Sequence, residues 1–288
     1  MRRGDAVVGL AAALPLVAAC DRVFGFDHVP LVDTDAPGTS SIAKGWGPPQ
    51  QVMPDTPAGA WPSDPSFDLD ETYLFYSVIY TNNDYDIFEA KMLDHTKTGP
   101  RANVLVSPSY AASPELAPSG TTMYWHDYTM YPMGRIQIAT APTVAGPWTA
   151  GGAPADLNIV VDDNRPGSPD AAGDYMVIAR NSALLGLHHD TGTWIPDASC
   201  DTINGQLAIH ENPQVSADGL TLVFAGAPTP GQRDLYVSQR TSIDESWPLA
   251  DVLDASSGSF DEGDPWLSKD TKRLYFTHNK AIWLCERP

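Results

Sequence analysis

The chain predicts an all-β fold: a five-bladed β-propeller whose ring is closed by an N-terminal strand near Trp46 that completes the last blade. Three observations predict it. A phrase built from a polar residue and Pro, a short apolar step, a turn and an aromatic-rich strand returns about every fifty residues, the mark of a repeat architecture. Helical periodicity is absent from Gly45 onward, where Pro and Gly punctuate short aromatic and β-branched runs. A series of tryptophans announcing the fourth strand of each repeat is offset by one: Trp46 precedes the first phrase, and the chain stops after the third strand of the fifth repeat.

Taken in chain order, residues 1–19 read as an export signal. Arg2 and Arg3 give a positive start, residues 7–19 an apolar run short for a bilayer span, and Val17-Ala-Ala-Cys20 a small-residue cleavage site. Residues 20–44 hold Asp, Pro, Gly, Ser and Thr without periodicity and read as a flexible tether, with Phe24-Gly-Phe26 able to dock locally. The propeller is expected over 45–288.

The five phrases are Asp64-Pro-Ser-Phe with Tyr73-Leu-Phe-Tyr, Ser113-Pro-Glu-Leu with Met123-Tyr-Trp, Ser168-Pro-Asp-Ala with Tyr175-Met-Val-Ile, Asn212-Pro-Gln-Val with Leu222-Val-Phe, and Asp264-Pro-Trp-Leu with Leu274-Tyr-Phe. The polar-Pro pair opens the first strand and the aromatic run is the second. Between them, Asp68-Leu-Asp-Glu, Pro118-Ser-Gly, Ala172-Gly, Ala217-Asp-Gly and Lys269-Asp-Thr carry the Gly and Asp that tight hairpins need. Third strands follow at Asp86-Ile-Phe, Arg135-Ile-Gln, Leu184-Leu-Gly, Asp234-Leu-Tyr and Ala281-Ile-Trp, and Trp148, Trp194 and Trp247 announce fourth strands. Since the fifth repeat lacks a fourth strand, residues 46–52 are expected to supply it, which protects a sheet edge and ties down both ends of the chain.

Charge narrows the function classes. Lys and Arg number 17 against 36 Asp and Glu, a formal net charge of −19. Loss of Arg2, Arg3 and Asp5 with the signal removes one net positive charge and gives −20. Nucleic-acid partners are excluded, because phosphate binding needs clustered cations. Of the three cysteines, Cys200 and Cys285 fall in different repeats; export permits a bridge between them without requiring one.

Several motifs resemble known families. Val17-Ala-Ala-Cys20 resembles the lipobox of bacterial lipoproteins, which implies lipidation at Cys20 and a membrane-anchored address in the cell envelope facing the periplasm or exterior. Asp21 after that Cys leaves the leaflet open. Asn212-Pro-Gln-Val-Ser-Ala-Asp-Gly-Leu-Thr-Leu-Val-Phe with Arg233-Asp-Leu-Tyr-Val resembles the WD40-like repeat of TolB-type propellers, which implies a binding or scaffold module for a protein, peptide or glycan, with no cofactor and no catalytic residues. Arg135-Ile-Gln-Ile-Ala-Thr-Ala-Pro-Thr-Val-Ala-Gly-Pro-Trp148 is similar to a segment of five-bladed arabinanase and xylosidase glycoside hydrolases. That resemblance implies an inverting hydrolase with Asp64 as base, Glu115 as modulator and Glu211 as acid, although Glu115 stands where that family has Asp and Glu211-Asn-Pro replaces Glu-Gly-Pro.

If the repeats superimpose, Asp64, Ser113, Ser168, Asn212 and Asp264 form a polar ring near the axis, with Ser66, Glu115, Asp170, Gln214 and Trp266 two positions on along the same strand face. The ring is the expected ligand-binding position; equally, its short side chains can bond backbone groups of the neighbouring blade. No metal site is expected. The oxygen-rich turns at Asp68 to Glu71 and Asp162 to Asn164 miss the spacing of a calcium loop, and His188-His189 and His210-Glu211, alternating across a strand, read as solvated strand ends. Tyr124 and Trp125 are expected between blades, and Tyr128 and Tyr131 in a connection outside the sheet.

Overall fold

The computed structural model describes residues 40–288 apart from 106–109, 131–132, 159–161 and 257–260. The signal, Cys20, the tether as far as residue 39, and Tyr131 lie outside the described residues.

Strand β1 (Gln50–Val52) comes first and belongs to the last blade. Blade 1 holds β2 (Trp61–Phe67), β3 (Tyr73–Ile79), β4 (Tyr85–Asp94) and β5 (Lys97–Asn103). Blade 2 holds β6 (Ala111–Leu116), β7 (Thr122–Met130), β8 (Met133–Thr140) and β9 (Thr149–Gly152); blade 3 holds β10 (Asn164–Arg165), β11 (Tyr175–Arg180), β12 (Ala183–Asp190) and β13 (Thr193–Asp197). After the one-turn helix α1 (Asp201–Asn204), blade 4 holds β14 (Ile209–Val215), β15 (Thr221–Ala227), β16 (Asp234–Gln239) and β17 (Asp251–Val252); β18 (Glu262–Leu267), β19 (Arg273–His278) and β20 (Ala281–Glu286) end the chain. Five four-stranded antiparallel sheets result, the last in the order β1-β20-β19-β18. Closure is thus as the tryptophan offset predicts, with Gln50 opposite Leu284 and Val52 opposite Ile282.

The core is divided among the seams between blades. The second strand of each blade is buried on both faces, so alternate residues serve opposite seams: Phe75 packs toward blade 2 with Met123 and Trp125, whereas Tyr76 packs toward blade 5 with Trp266 and Tyr275. Phe224 likewise joins Tyr175 and Trp247 between blades 3 and 4, while Val223 joins Leu274 and Phe276 between blades 4 and 5. Trp148, Trp194 and Trp247 each pack at the seam with the preceding blade, and Trp46 packs at the seam of blades 4 and 5. Trp46 therefore occupies in blade 5 the place its counterparts hold in blades 2 to 4.

Two boundaries move. Ile42 and Ala43, assigned by sequence to the tether, are buried in the blade 4–5 seam, and the Asp254 carboxylate accepts from the N–H groups of Gly45 and Trp46. Their apolar side chains dock because the seam beside the closing strand offers an unfilled face, so packing begins before the expected boundary at Gly45. Tyr128 lies within β7 rather than in a connection, because the β7–β8 hairpin extends beyond a bulge and pairs Met130 with Met133. Among the described residues, no helix is long and apolar enough to cross a membrane.

Candidate functional site at the propeller axis

The polar-Pro pair produces one local device four times. In β2, β6, β14 and β18 the register with the second strand slips across this pair, giving a bulge at which Asp64, Ser113, Asn212 and Asp264 all have φ near +50°. Asn and Asp tolerate this left-handed conformation better than other side-chain-bearing residues, which fits the choice of polar residue. The bulge re-aims the backbone toward the neighbouring blade. The Asp64 N–H donates to Thr277 Oγ1 at 3.1 Å, and the Ser113 N–H to Ser77 Oγ at 2.9 Å, each from a blade to the second strand of the blade before it.

The positions two further on are also occupied between blades. Ser66 Oγ accepts the Leu116 N–H at 3.0 Å, and Gln214 Oε1 accepts the Leu267 N–H at 3.1 Å. Trp266 packs beside Phe67 at a tilt, ring centroids 4.7 Å apart. Ser168 Oγ lies 3.0 Å from the Leu116 carbonyl and 3.1 Å from Glu115 Oε2. Much of the polar ring is thus engaged in joining blades.

Blade 3 departs from the pattern. Its inner strand is only Asn164–Arg165, because Pro166 interrupts it and the chain at Gly167 runs so close over the Val177 carbonyl that a Cβ would collide. The interruption places Arg165, largely buried, at the axis. Arg165 Nη1 lies 3.0 Å from Glu211 Oε2, and its Nε donates to Asp163 Oδ2 at 2.9 Å. Arg233 pairs with the same Glu211 oxygen and makes a two-point contact with Asp261, at 2.8 and 2.6 Å. Burial opposes the charge of Arg165, but Tyr128, Glu211 and Asp163 more than offset it and hold the guanidinium charged. Sequence reasoning missed both arginines; in so acidic a chain, their position beside Asp163 and Asp234 was the available signal.

The three residues of the hydrolase constellation are placed differently. Glu211 is committed to the two guanidinium groups. Glu115 is buried, with its carboxyl pushed well above the ordinary range by that burial and further by Asp64 and Asp264. Asp64, half-buried, is hydrogen-bonded by Ser63 Oγ at 2.9 Å and Ser113 Oγ at 3.4 Å. Asp264, Arg233, Asp261, Thr277, Asn279 and Lys280 line a cavity of about 340 Å³.

Around this centre, Tyr85 and Tyr128 stack with ring centroids 5.5 Å apart, and burial raises both phenols. His126 is fully buried beside Tyr128; its Nε2 lies 3.2 Å from Asp163 Oδ1 without hydrogen-bond geometry, and burial pushes its pKa down against the opposing pull of Asp163. His210 is not the solvated strand end that its sequence context indicates: it is buried, with its ring nitrogens 3.1 Å from the carbonyls of Ser182 and Ile203. His188 is half-exposed and pairs with Asp197 at 2.6 Å. Among the described residues, no cluster of His, Cys, Asp and Glu has an arrangement that could hold a metal ion. Cys200 and Cys285 are both buried free thiols.

No protein-family model matches the chain, and no curated protein matches it. Solved structures do. An α-L-arabinofuranosidase from Podospora anserina, determined with cellotriose, is 14% identical over 85% of this chain and 96% of its own, with a TM-score of 0.59. An endo-arabinase from Bacteroides thetaiotaomicron is 11% identical over 87% and 97%, with a TM-score of 0.53. TolB from Acinetobacter baumannii is 13% identical over 77% of this chain with a TM-score of 0.49, and the chain spans about half of it, 53%. At these identities the likeness is one of fold: the five-bladed propeller that the sequence indicates.

Proposed function

We propose that the protein is a lipid-anchored propeller of the cell envelope that binds a protein, peptide or glycan at the axial end and carries out no chemistry there. The observation that carries this reading is the engagement of Glu211 by Arg165 and Arg233. An inverting hydrolase needs an acid and a base displayed on opposite sides of a scissile bond. Here the residue expected to be the acid is tied into an ion-pair network, whereas the cavity beside it displays mixed donors and acceptors suited to recognition. The lipobox-like segment ending at Cys20 supports the anchor and the address.

The hydrolase reading keeps one supporting observation: Asp64 and Glu115 lie close enough at the axis to act on one another electrostatically. A screen on aryl arabinosides and xylosides separates the two. No turnover is expected; turnover abolished by Glu211→Gln would establish the hydrolase. Isothermal titration with arabino- and xylo-oligosaccharides and with short peptides bearing free termini, for the wild type, Asp64→Ala and Asp264→Ala, tests the site itself. Binding weakened in the variants is expected, and equal or absent binding throughout removes the axial site.

A further inference from the structure

The β19–β20 hairpin meets the axial cavity through a two-residue turn, Asn279-Lys280. Both residues take positive φ, 46° and 63°, and His278 pairs directly with Ala281 across the turn. A loop this short with two left-handed residues is the kind that matches strand twist, so the backbone at Lys280 is firmly placed. The Lys280 ammonium lies 4.2 Å from the ring centroid of Trp61, the first residue of β2. An indole face attracts a cation through its quadrupole, which keeps this exposed head group beside the cavity that Lys280 lines.

Asp264 lines the same cavity from β18. Its position is set by the bulge between Gly263 and Trp266, where its φ is 53°. Lys280 and Asp264 thus bring opposite charges to one cavity, yet among the described residues neither has an ion-pair partner. Arg233, the other cation of the wall, differs: Asp261 receives it at 2.8 and 2.6 Å, and Glu211 takes its Nη1. The cavity therefore offers one unmatched cation and one unmatched carboxyl, kept apart by the elements that carry them.

We infer that this cavity takes a small α-amino acid as its zwitterion, with the ammonium at Asp264 and the carboxylate at Lys280. The inference rests on the axial binding reading and names the ligand class for it. At about 340 Å³ the cavity lies at the small end of ligand pockets, which run from roughly 300 to 1,000 Å³. A neutral sugar would leave both charges unmatched. A simple anion would match Lys280 but bring negative charge toward Asp264, and a simple cation would do the reverse. Opposite charges on one small molecule satisfy both walls, and Thr277 and Asn279 add neutral hydrogen-bonding groups. Burial, and after it the charge of Asp64, work against an ionised Asp264; an ammonium brought beside it works the other way.

The test begins with the common L-amino acids, screened against the whole protein by thermal shift. The strongest binder is then titrated calorimetrically beside its N-acetyl and carboxamide derivatives, which lack the ammonium and the carboxylate charge respectively. Either loss is expected to weaken binding about ten- to a hundredfold. Lys280→Gln, at an exposed turn, is expected to weaken the amino acid by a similar factor and to leave the carboxamide derivative unchanged. Asp264→Asn should weaken the amino acid and leave the N-acetyl derivative unchanged. Arabino- and xylo-oligosaccharides and peptides blocked at both ends are titrated in parallel. Binding of one of these without binding of any amino acid overturns the zwitterion and leaves the axial site standing, whereas binding of nothing removes the site and the inference together. Equal affinity for the amino acid and its two derivatives, or amino-acid binding untouched by Lys280→Gln, also overturns it.

Discussion

Val52→Ala tests the outer closure of the ring directly. Val52 is the buried residue of β1, at 1% exposure, packed in the seam that also holds Ile282, Leu284, Tyr76 and Phe88. Truncation to Ala removes two carbons from that seam, about 1.6 kcal/mol in transfer terms, and the cavity left between two sheets brings the cost to about 2–3 kcal/mol. For a domain of this size each kcal/mol lowers the thermal midpoint by roughly 2–4 °C, so a fall of about 4–12 °C is expected. Gln51→Ala is the internal control: it sits in the same strand with the same ladder partner, β20, but its side chain is exposed, and its effect should stay within about 0.5 kcal/mol. Denaturant midpoints at unchanged slope provide the energies. If Val52→Ala is as mild as Gln51→Ala, β1 does not bury its face in the seam between the last blade and the first, and the argument from the Trp46 offset to ring closure fails.

Gly134→Ala, whose Cβ would overlap the buried His126 ring, is expected to cost about 1–3 kcal/mol by overpacking, read as a lowered denaturant midpoint. Glu71→Gln replaces the carboxylate that accepts from Arg273 Nε and Nη2, each at 2.7 Å, across the blade 5–1 seam, and a loss of about 1–3 kcal/mol by thermal melting is expected, since it leaves a partly buried guanidinium underpaired. Burial pushes the thiols of Cys200 and Cys285 up to about 12, so both should resist iodoacetamide near neutral pH in the folded protein and react on unfolding, as peptide mapping would show.

The architecture was legible because the repeat constrains many residues at once. The opening polar-Pro pair, the hairpin turn and the aromatic strand recur in one order, and the displaced Trp46 encodes the direction of closure. The turns show how far composition carries the reading. Gly120, Gly173 and Gly219 take the left-handed position that their type favours, but the same place in blades 1 and 5 is filled by Glu71 and Thr271, recognisable only through alignment of the repeats. The axial site was less legible. Arg165 sits where the third phrase breaks down, Arg233 lies ahead of a third strand, and their meeting at Glu211 depends on how blades 3 and 4 are placed around the axis. Sequence spacing does not contain that placement. Nor does it reveal that Ile42 docks, because an apolar residue in a polar stretch becomes informative only once the seam it fills is known.

The repeated phrase is first a means of joining blades and only secondarily a source of specificity. Ser66, Gln214 and Ser168, together with the backbone at Asp64 and Ser113, direct hydrogen bonds across seams, which a ring of open sheets needs because each blade alone leaves both faces unburied. Groups used in this way are poor candidates for ligand contacts, since a ligand would have to compete with bonds that hold the ring together. What remains distinctive is where one blade differs from the others: the aspartates Asp64 and Asp264 at the bulges of the first and last blades, Arg165 at the broken strand of blade 3, and Arg233 with the cavity beside it. These departures concentrate charge around the axis. Recognition at the axis therefore depends on the departures, and substitutions there should alter binding more than stability, whereas substitutions at Ser66 or Gln214 should do the reverse.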